Sequence, residues 1–260
     1  MRREPFFWIT VLCGIVIMAF IILPLLQLIT APSLGMLDET IRDKDAFRSI
    51  WLSIYASGLA ALISFLIGTP LAYLLARRNF MGKRLVEGII DLPIAIPHPV
   101  VGIAILSAAG KNHWFGQLLS ELGVRIMGSM TGIVIVLTFV GIPFYLNAAK
   151  TGFEGISPRL EKVSRNLGAS MFSTFARITF PLAWRSMLVG IIMCCARAIS
   201  EFGAVVIVAY HPMTAPVLIY ERFEAYGLRY SQPVAVWLVL ISLILFILLR
   251  VMTLHKAEEE

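Results

Sequence analysis

Residues 157–181 read SPRLEKVSRNLGASMFSTFARITFP, a polar, helix-prone stretch set between two long apolar segments. Ser157 is a common helix-capping residue, Pro158 suits a first helical turn, and Glu161 stands where the helix dipole favours an acid. A helix is therefore predicted to start here. Leu160, Val163, Leu167 and Met171 recur at spacings of three and four, while Glu161, Lys162, Ser164, Arg165 and Asn166 fall mostly on other faces. Gly168 interrupts this stripe, because glycine is a poor helix-interior residue and a good left-handed cap. Two short helices are expected to meet at Gly168 and Ala169, with Pro181 ending the second. On spacing alone the segment reads equally as a linker lying on a membrane surface or as an element with a partner.

The surrounding composition sets the medium. Of 260 residues, 58% are hydrophobic and 15% charged, and the mean hydropathy is +0.84. That is too apolar for a soluble domain of this length. A formal net charge of +6 does not indicate nucleic acid, because the basic residues cluster at the ends of apolar segments, where they orient a polytopic membrane protein. Cys13, Cys194 and Cys195 lie within apolar runs and form neither a CxxC nor a metal-ligand spacing. Neither a disulfide framework nor a zinc site is implied.

Six apolar segments are long enough to span a bilayer. The first covers residues 6–29, 24 residues, or roughly 36 Å of helix; it exceeds a signal-peptide core and reads as an uncleaved span with Arg2 and Arg3 inside. Residues 34–48 mix acids and bases and read as an outside loop with a short interfacial helix. Spans follow at about 50–76, 88–109, 131–149, 183–209 and 233–254. Residues 111–130, amphipathic around Trp114, Leu118, Leu119 and Leu122, and the aromatic, turn-rich 211–233 are outside loops, and the HKAEEE tail is inside. Of the 22 Lys and Arg residues, this arrangement puts 14 inside, seven outside and Arg197 within a span, so both termini are expected in the cytoplasm. No repeat or linker divides the chain, which reads as a single transmembrane domain over 1–260 with a cytoplasmic segment at 150–182.

Two features inside the spans carry polar chemistry. In DLPIAIPHPVVG, Pro93, Pro97 and Pro99 remove three backbone donors, and the freed carbonyls need protein or water around them at membrane depth. The prolines wall a transport pathway or make a packed structural kink. In ARAISEFGAVV, Arg197 and Glu201 stand four apart on one helix face near the middle of the fifth span, with Ser200 beside them, where an unpaired charge is costly. They form a buried structural ion pair, or Arg197 offers guanidinium donors to a passing anion while Glu201 limits how tightly it is held. Asp91 and Glu201 form a less favoured carboxylate pair. The four histidines make no HExxH and no serine sits in a nucleophile elbow, so no enzymatic reading survives. A GxxxxGK[ST] loop is also missing from the sequence. The chain cannot hydrolyse ATP by the P-loop mechanism.

The run LEKVSRNLGAS followed by ITFP, with Gly168, Ile178 and Pro181 at their expected separations, resembles the EAA loop of ATP-binding-cassette importer permeases. Lys162, Val163 and Ser164 stand where that family usually has Glu, Ala and Ala. The resemblance extends from Ser53 through the sixth span. In DLPIAIPHPVVGIAIL, ARAISEFGAVV and TAPVLIYERF it is nearest to molybdate/tungstate permeases, with sulfate/thiosulfate permeases as neighbours. It implies an all-α, six-span, type I importer permease whose loop couples to an ATPase through Ser157, Glu161, Ser164, Arg165, Leu167, Gly168, Ala169, Ser170, Met171 and Pro181. It implies a translocation pathway lined by Pro93, Pro97, Pro99, Arg197, Ser200 and Glu201. The implied partners are a second copy of the chain, two cytoplasmic ATPase subunits carrying ATP and Mg, an extracytoplasmic oxyanion-binding protein and the lipid bilayer, with no cofactor in this chain. A rival class is an ion-coupled secondary transporter or channel, since discontinuous spans are common there.

Overall fold

The computed structural model describes residues 5–110 and 113–254. Arg2, Arg3, Lys111 and the HKAEEE tail, each assigned a side of the membrane above, lie outside the described residues. Within them the chain is helical, with no strand. In order the helices are α1 (Pro5–Thr30), α2 (Leu34–Arg42), α3 (Lys44–Arg77), α4 (Lys83–Ala95), α5 (His98–Ala108), α6 (Trp114–Glu121) and α7 (Met130–Glu154). Then come α8 (Pro158–Asn166), α9 (Met171–Thr174), a π-helical turn (Phe175–Thr179), α10 (Phe180–Ile199), α11 (Gly203–Val208), α12 (Ala215–Tyr226) and α13 (Leu228–Leu254). Among the described residues five helical runs are long and apolar enough to cross a membrane, six if α4 and α5 form one bent span.

The bundle is built around α7, which packs between α3 and α10. Its buried face carries Ile133, Val136, Val140, Tyr145, Ala149 and Phe153. The facing side of α3 is a row of small residues, among them Ala56, Ser57, Ala60, Ala61, Ser64 and Ala72. Short side chains let helix backbones approach closely, and in lipid that contact takes the place of a hydrophobic driving force. By contrast, no residue of the apolar core of α1 is buried.

One expectation is sharpened and three need correction. The third span is broken, as its prolines suggest: α4 and α5 meet at 113°, and of the three prolines only Pro97 stands at the break, with Pro93 inside α4 and Pro99 in the first turn of α5. The fifth span does not run 183–209, because the continuous helical run covers Met171–Ile199 and breaks before α11. Pro181 does not end a helix. It sits in the first turn of α10, and the π turn before it widens the helix at Arg177, whose carbonyl would have received the N–H that proline lacks. Finally, the loop over 211–233 holds a helix, α12, whose first turn takes Pro216 without losing a bond.

Candidate functional site

Two neighbourhoods gather the residues singled out from sequence. At the first, α8 and α9 meet at Gly168, whose φ of +91° is left-handed. Nothing lies within 4 Å of where its Cβ would be, so the glycine is required by backbone conformation and not by crowding. The expected pair of short helices is present, yet its caps differ: Ser157 occupies the N-cap position without a side-chain cap, whereas the Ser170 hydroxyl accepts the Ser173 N–H at 3.1 Å and starts α9.

The amphipathicity of α8 is inverted relative to a helix lying on a protein core. Its acid points inward: Glu161 Oε1 accepts from Arg77 Nε at 2.9 Å and from the Thr179 hydroxyl at 2.8 Å, and Oε2 accepts from the Tyr73 hydroxyl at 3.2 Å. The carboxylate thus ties α8 to the end of α3 and to the π turn. Ser164 also turns inward, its hydroxyl 3.0 Å from that of Thr174. The apolar stripe faces away from the bundle, with Leu160 48%, Val163 57%, Leu167 83% and Met171 51% exposed. Beside it lies an apolar groove of about 400 Å³ lined by Leu160, Val163, Leu167, Ala169 and Ile178. Arg165 and Pro181 are exposed.

In the second neighbourhood, two helix breaks pack against each other. Gly203 opens α11 against the start of α5, where a Cβ would come within 2.9 Å of His98 Cβ, and a Cβ on Gly102 would meet the Ala204 carbonyl at 2.8 Å. Arg197 lies in the last turn of α10 and Glu201 in the break, so their spacing of four survives as a bond, Arg197 Nη2 to Glu201 Oε2 at 2.8 Å. The pair stands at the end of the helical run, not near its middle. Glu201 Oε1 accepts the Ala204 N–H at 2.9 Å, capping α11. The third member is His98, 3.0 Å from Glu201 Oε2 through Nδ1, with both ring nitrogens 2.9 Å from Arg197 Nη2. A neutral ring with its proton on Nδ1 donates to Glu201 and accepts from Arg197. The Glu201 side chain is 2% exposed and that of Arg197 22%, so the carboxylate is sealed while the guanidinium keeps an open edge. Ser200 is exposed and its hydroxyl bonds the Arg197 carbonyl at 3.1 Å. Pro93 is buried, whereas Pro97 and Pro99 are exposed. Asp91 does not meet Glu201; it accepts from Asn147 at 2.8 Å.

With this geometry in place, the sequence matches, over residues 68–256, the family described as the inner membrane component of binding-protein-dependent transport systems. The chain belongs to that family. It is 42% identical over 252 residues to the molybdate/tungstate transport system permease protein WtpB of Thermococcus kodakarensis, covering 96% of this chain and 97% of the relative. It is 33% identical over 239 residues to the probable sulfate transport system permease protein cysT of Chlorokybus atmophyticus, covering 88% of this chain and 82% of the relative. The fold matches a bacterial ABC transporter involved in the import of the acidic polysaccharide alginate, with a TM-score of 0.76 at 17% identity over 99% of this chain and 96% of that one. Family and fold together make the chain a multi-pass membrane component of a transport system with the type I importer architecture, and they set aside the gradient-driven carrier.

Sequence reasoning missed His98, Tyr73, Arg77 and Thr179 as partners of the two carboxylates. His98 belongs to no HExxH motif, but its place between Pro97 and Pro99 marks it as lying at a break. Tyr73 and Arg77 are four apart on α3 and share one face, but nothing local indicates that this face meets Glu161.

Proposed function

We propose that this chain is the membrane subunit of an ATP-driven importer of molybdate or tungstate. It works as a homodimer, with two cytoplasmic ATPase subunits that bind ATP and Mg and an extracytoplasmic oxyanion-binding protein. The observation that carries the reading is the inverted helix α8: its one acid is engaged by the bundle, and its apolar stripe is left facing outward. A stripe of that kind needs a cover to be stable in water, and the groove of an ATPase is such a cover. The second copy is supported by the single coupling segment in each chain, since two ATPase subunits need two such segments. The substrate follows the 42% relative over the 33% sulfate permease.

A mechanical path joins the two neighbourhoods. Movement of α8 acts through Glu161 on α3 and the π turn, and the π turn continues without a break into α10, whose last turn carries Arg197. Arg197, with Ser200 beside it, then lies where displacement of α10 shifts the crossing of α5 and α11. In this reading its open guanidinium edge meets the anion while Glu201 and His98 hold the other side.

Cysteine crosslinking tests the reading. Cysteines at Ala169 or Ser170 should crosslink to the ATPase, while one at Leu34, 85% exposed at the start of α2, should not. Absence of loop crosslinks in a complex that still takes up oxyanion would sink the proposal. In addition, Arg197→Gln should lower oxyanion uptake with assembly and basal ATP hydrolysis retained.

A further inference from the structure

Beside α8, the end of α3 borders a cavity of about 450 Å³ that the transport reading leaves without a role. Its wall carries Arg77, Arg78, Lys162 and Arg165 against one carboxylate, Glu161. That carboxylate is already engaged by three donors. The Arg77 side chain is 10% exposed, and its Nη2 is buried with no hydrogen-bond partner. A guanidinium nitrogen held this way is costly unless an acceptor reaches it, and the surplus of positive charge selects an anionic one.

The other wall is apolar. Pro70, Leu74 and Met171 line it, and Leu74 continues a stripe on the outer face of α3 with Pro70, Ile67 and Leu66 at spacings of three and four. Leu66, Ile67 and Leu74 are 59%, 58% and 45% exposed. The stripe runs along the spanning part of α3 and ends at the cationic mouth.

We propose that this cavity holds the phosphate of an anionic phospholipid, with an acyl chain lying along Leu66, Ile67, Pro70 and Leu74. A phosphodiester oxygen suits the free Arg77 nitrogen, since guanidinium forks match phosphate geometry, and basic pockets at the ends of spanning helices bind anionic headgroups. A free phosphate would satisfy the cations but leave the stripe without a purpose. This site is independent of the choice of transported anion.

Arg77 also braces Glu161, so the test spares it and uses the exposed pair Arg78→Gln with Lys162→Gln. The purified full-length complex is titrated with phosphatidylglycerol and, separately, phosphatidylcholine, and bound lipid is counted by native mass spectrometry. Phosphatidylglycerol should be retained in preference to phosphatidylcholine. The double variant should bind it roughly 25-fold more weakly, about fivefold for each cation removed beside an anionic lipid. Equal retention of the two lipids, or an unchanged affinity in the double variant, overturns the proposal. Displacement by equimolar inorganic phosphate would assign the cavity to a free anion. Loss of the lipid whenever the ATPase is bound would assign it to an ATPase carboxylate, which also overturns it.

Discussion

Glu161 at the α8 turn and Glu201 at the helix crossing are held by closely similar partners, an arginine and a second donor from a neighbouring helix, yet they stabilise different things. Glu161, with a side chain 13% exposed, is tied to Arg77, Tyr73 and Thr179 and pins a surface helix whose remaining face is open. Glu201, 2% exposed, is tied to Arg197, His98 and the Ala204 amide and holds two broken helices inside the bundle. The contrast is one of surroundings: Glu161 holds a regular helix by one face and leaves the other open, whereas Glu201 holds a break in the helical run.

That contrast is breakable. Glu201→Ala leaves Arg197 without its anion and the Ala204 N–H without its acceptor, and removing one partner of a buried pair costs about 3–5 kcal/mol. It should give the largest drop in the unfolding midpoint in detergent; an unchanged midpoint would show that the crossing does not depend on the carboxylate.

Glu161→Ala loses hydrogen bonds to a charged group, a net cost of about 1.5–3 kcal/mol. Here the bundle should stay folded while recovery of the ATPase with the permease falls. A loss of bundle stability as deep as that of the Glu201 variant would erase the distinction between the two sites.

Gly168→Val places a branched side chain at a φ of +91°, with about 1–2 kcal/mol of backbone strain. Space is open around it, so the strain acts on the turn alone. ATP hydrolysis should uncouple from uptake without loss of folding, and Gly168→Asn, which tolerates the left-handed region, should recover part of the coupling.

The smallest effect is expected at Asp43, on the loop between α2 and α3. Partial burial opposes its ionisation, but the Asp45 amide and the Arg222 guanidinium outweigh it and hold the carboxyl below its ordinary value. Because the folded pKa is the lower one, this contribution is present at neutral pH and is lost as the pH falls through the carboxylate range below about 4. Arg222→Gln should flatten that acid limb slightly; an identical pH profile would mean that the pair contributes nothing.

Some of this was legible in local pattern. The turn at Gly168 follows from one residue's freedom at positive φ, and the stripe of Leu160, Val163, Leu167 and Met171 follows from helical period. The end of that segment was misread at Pro181, because a proline's missing donor is a local fact whereas the π turn that accommodates it depends on packing of Phe175 and Phe180 against Phe65 and Tyr73. The break in the third span was legible, but not its position, for a related reason. Three prolines within seven residues announce a break but not which one makes it, since Pro93 and Pro99 both fit helical turns.

What the sequence by itself determined is the apolar spans, the basic bias between their ends, the glycine turn and the family motif, all properties of composition and short-range spacing. The tertiary structure alone decided which way α8 faces and where Glu201 sits. A carboxylate is satisfied by whatever donors surround it, and Arg77, Thr179 and His98 are brought to these two only when α3, α5 and the π turn pack around α7.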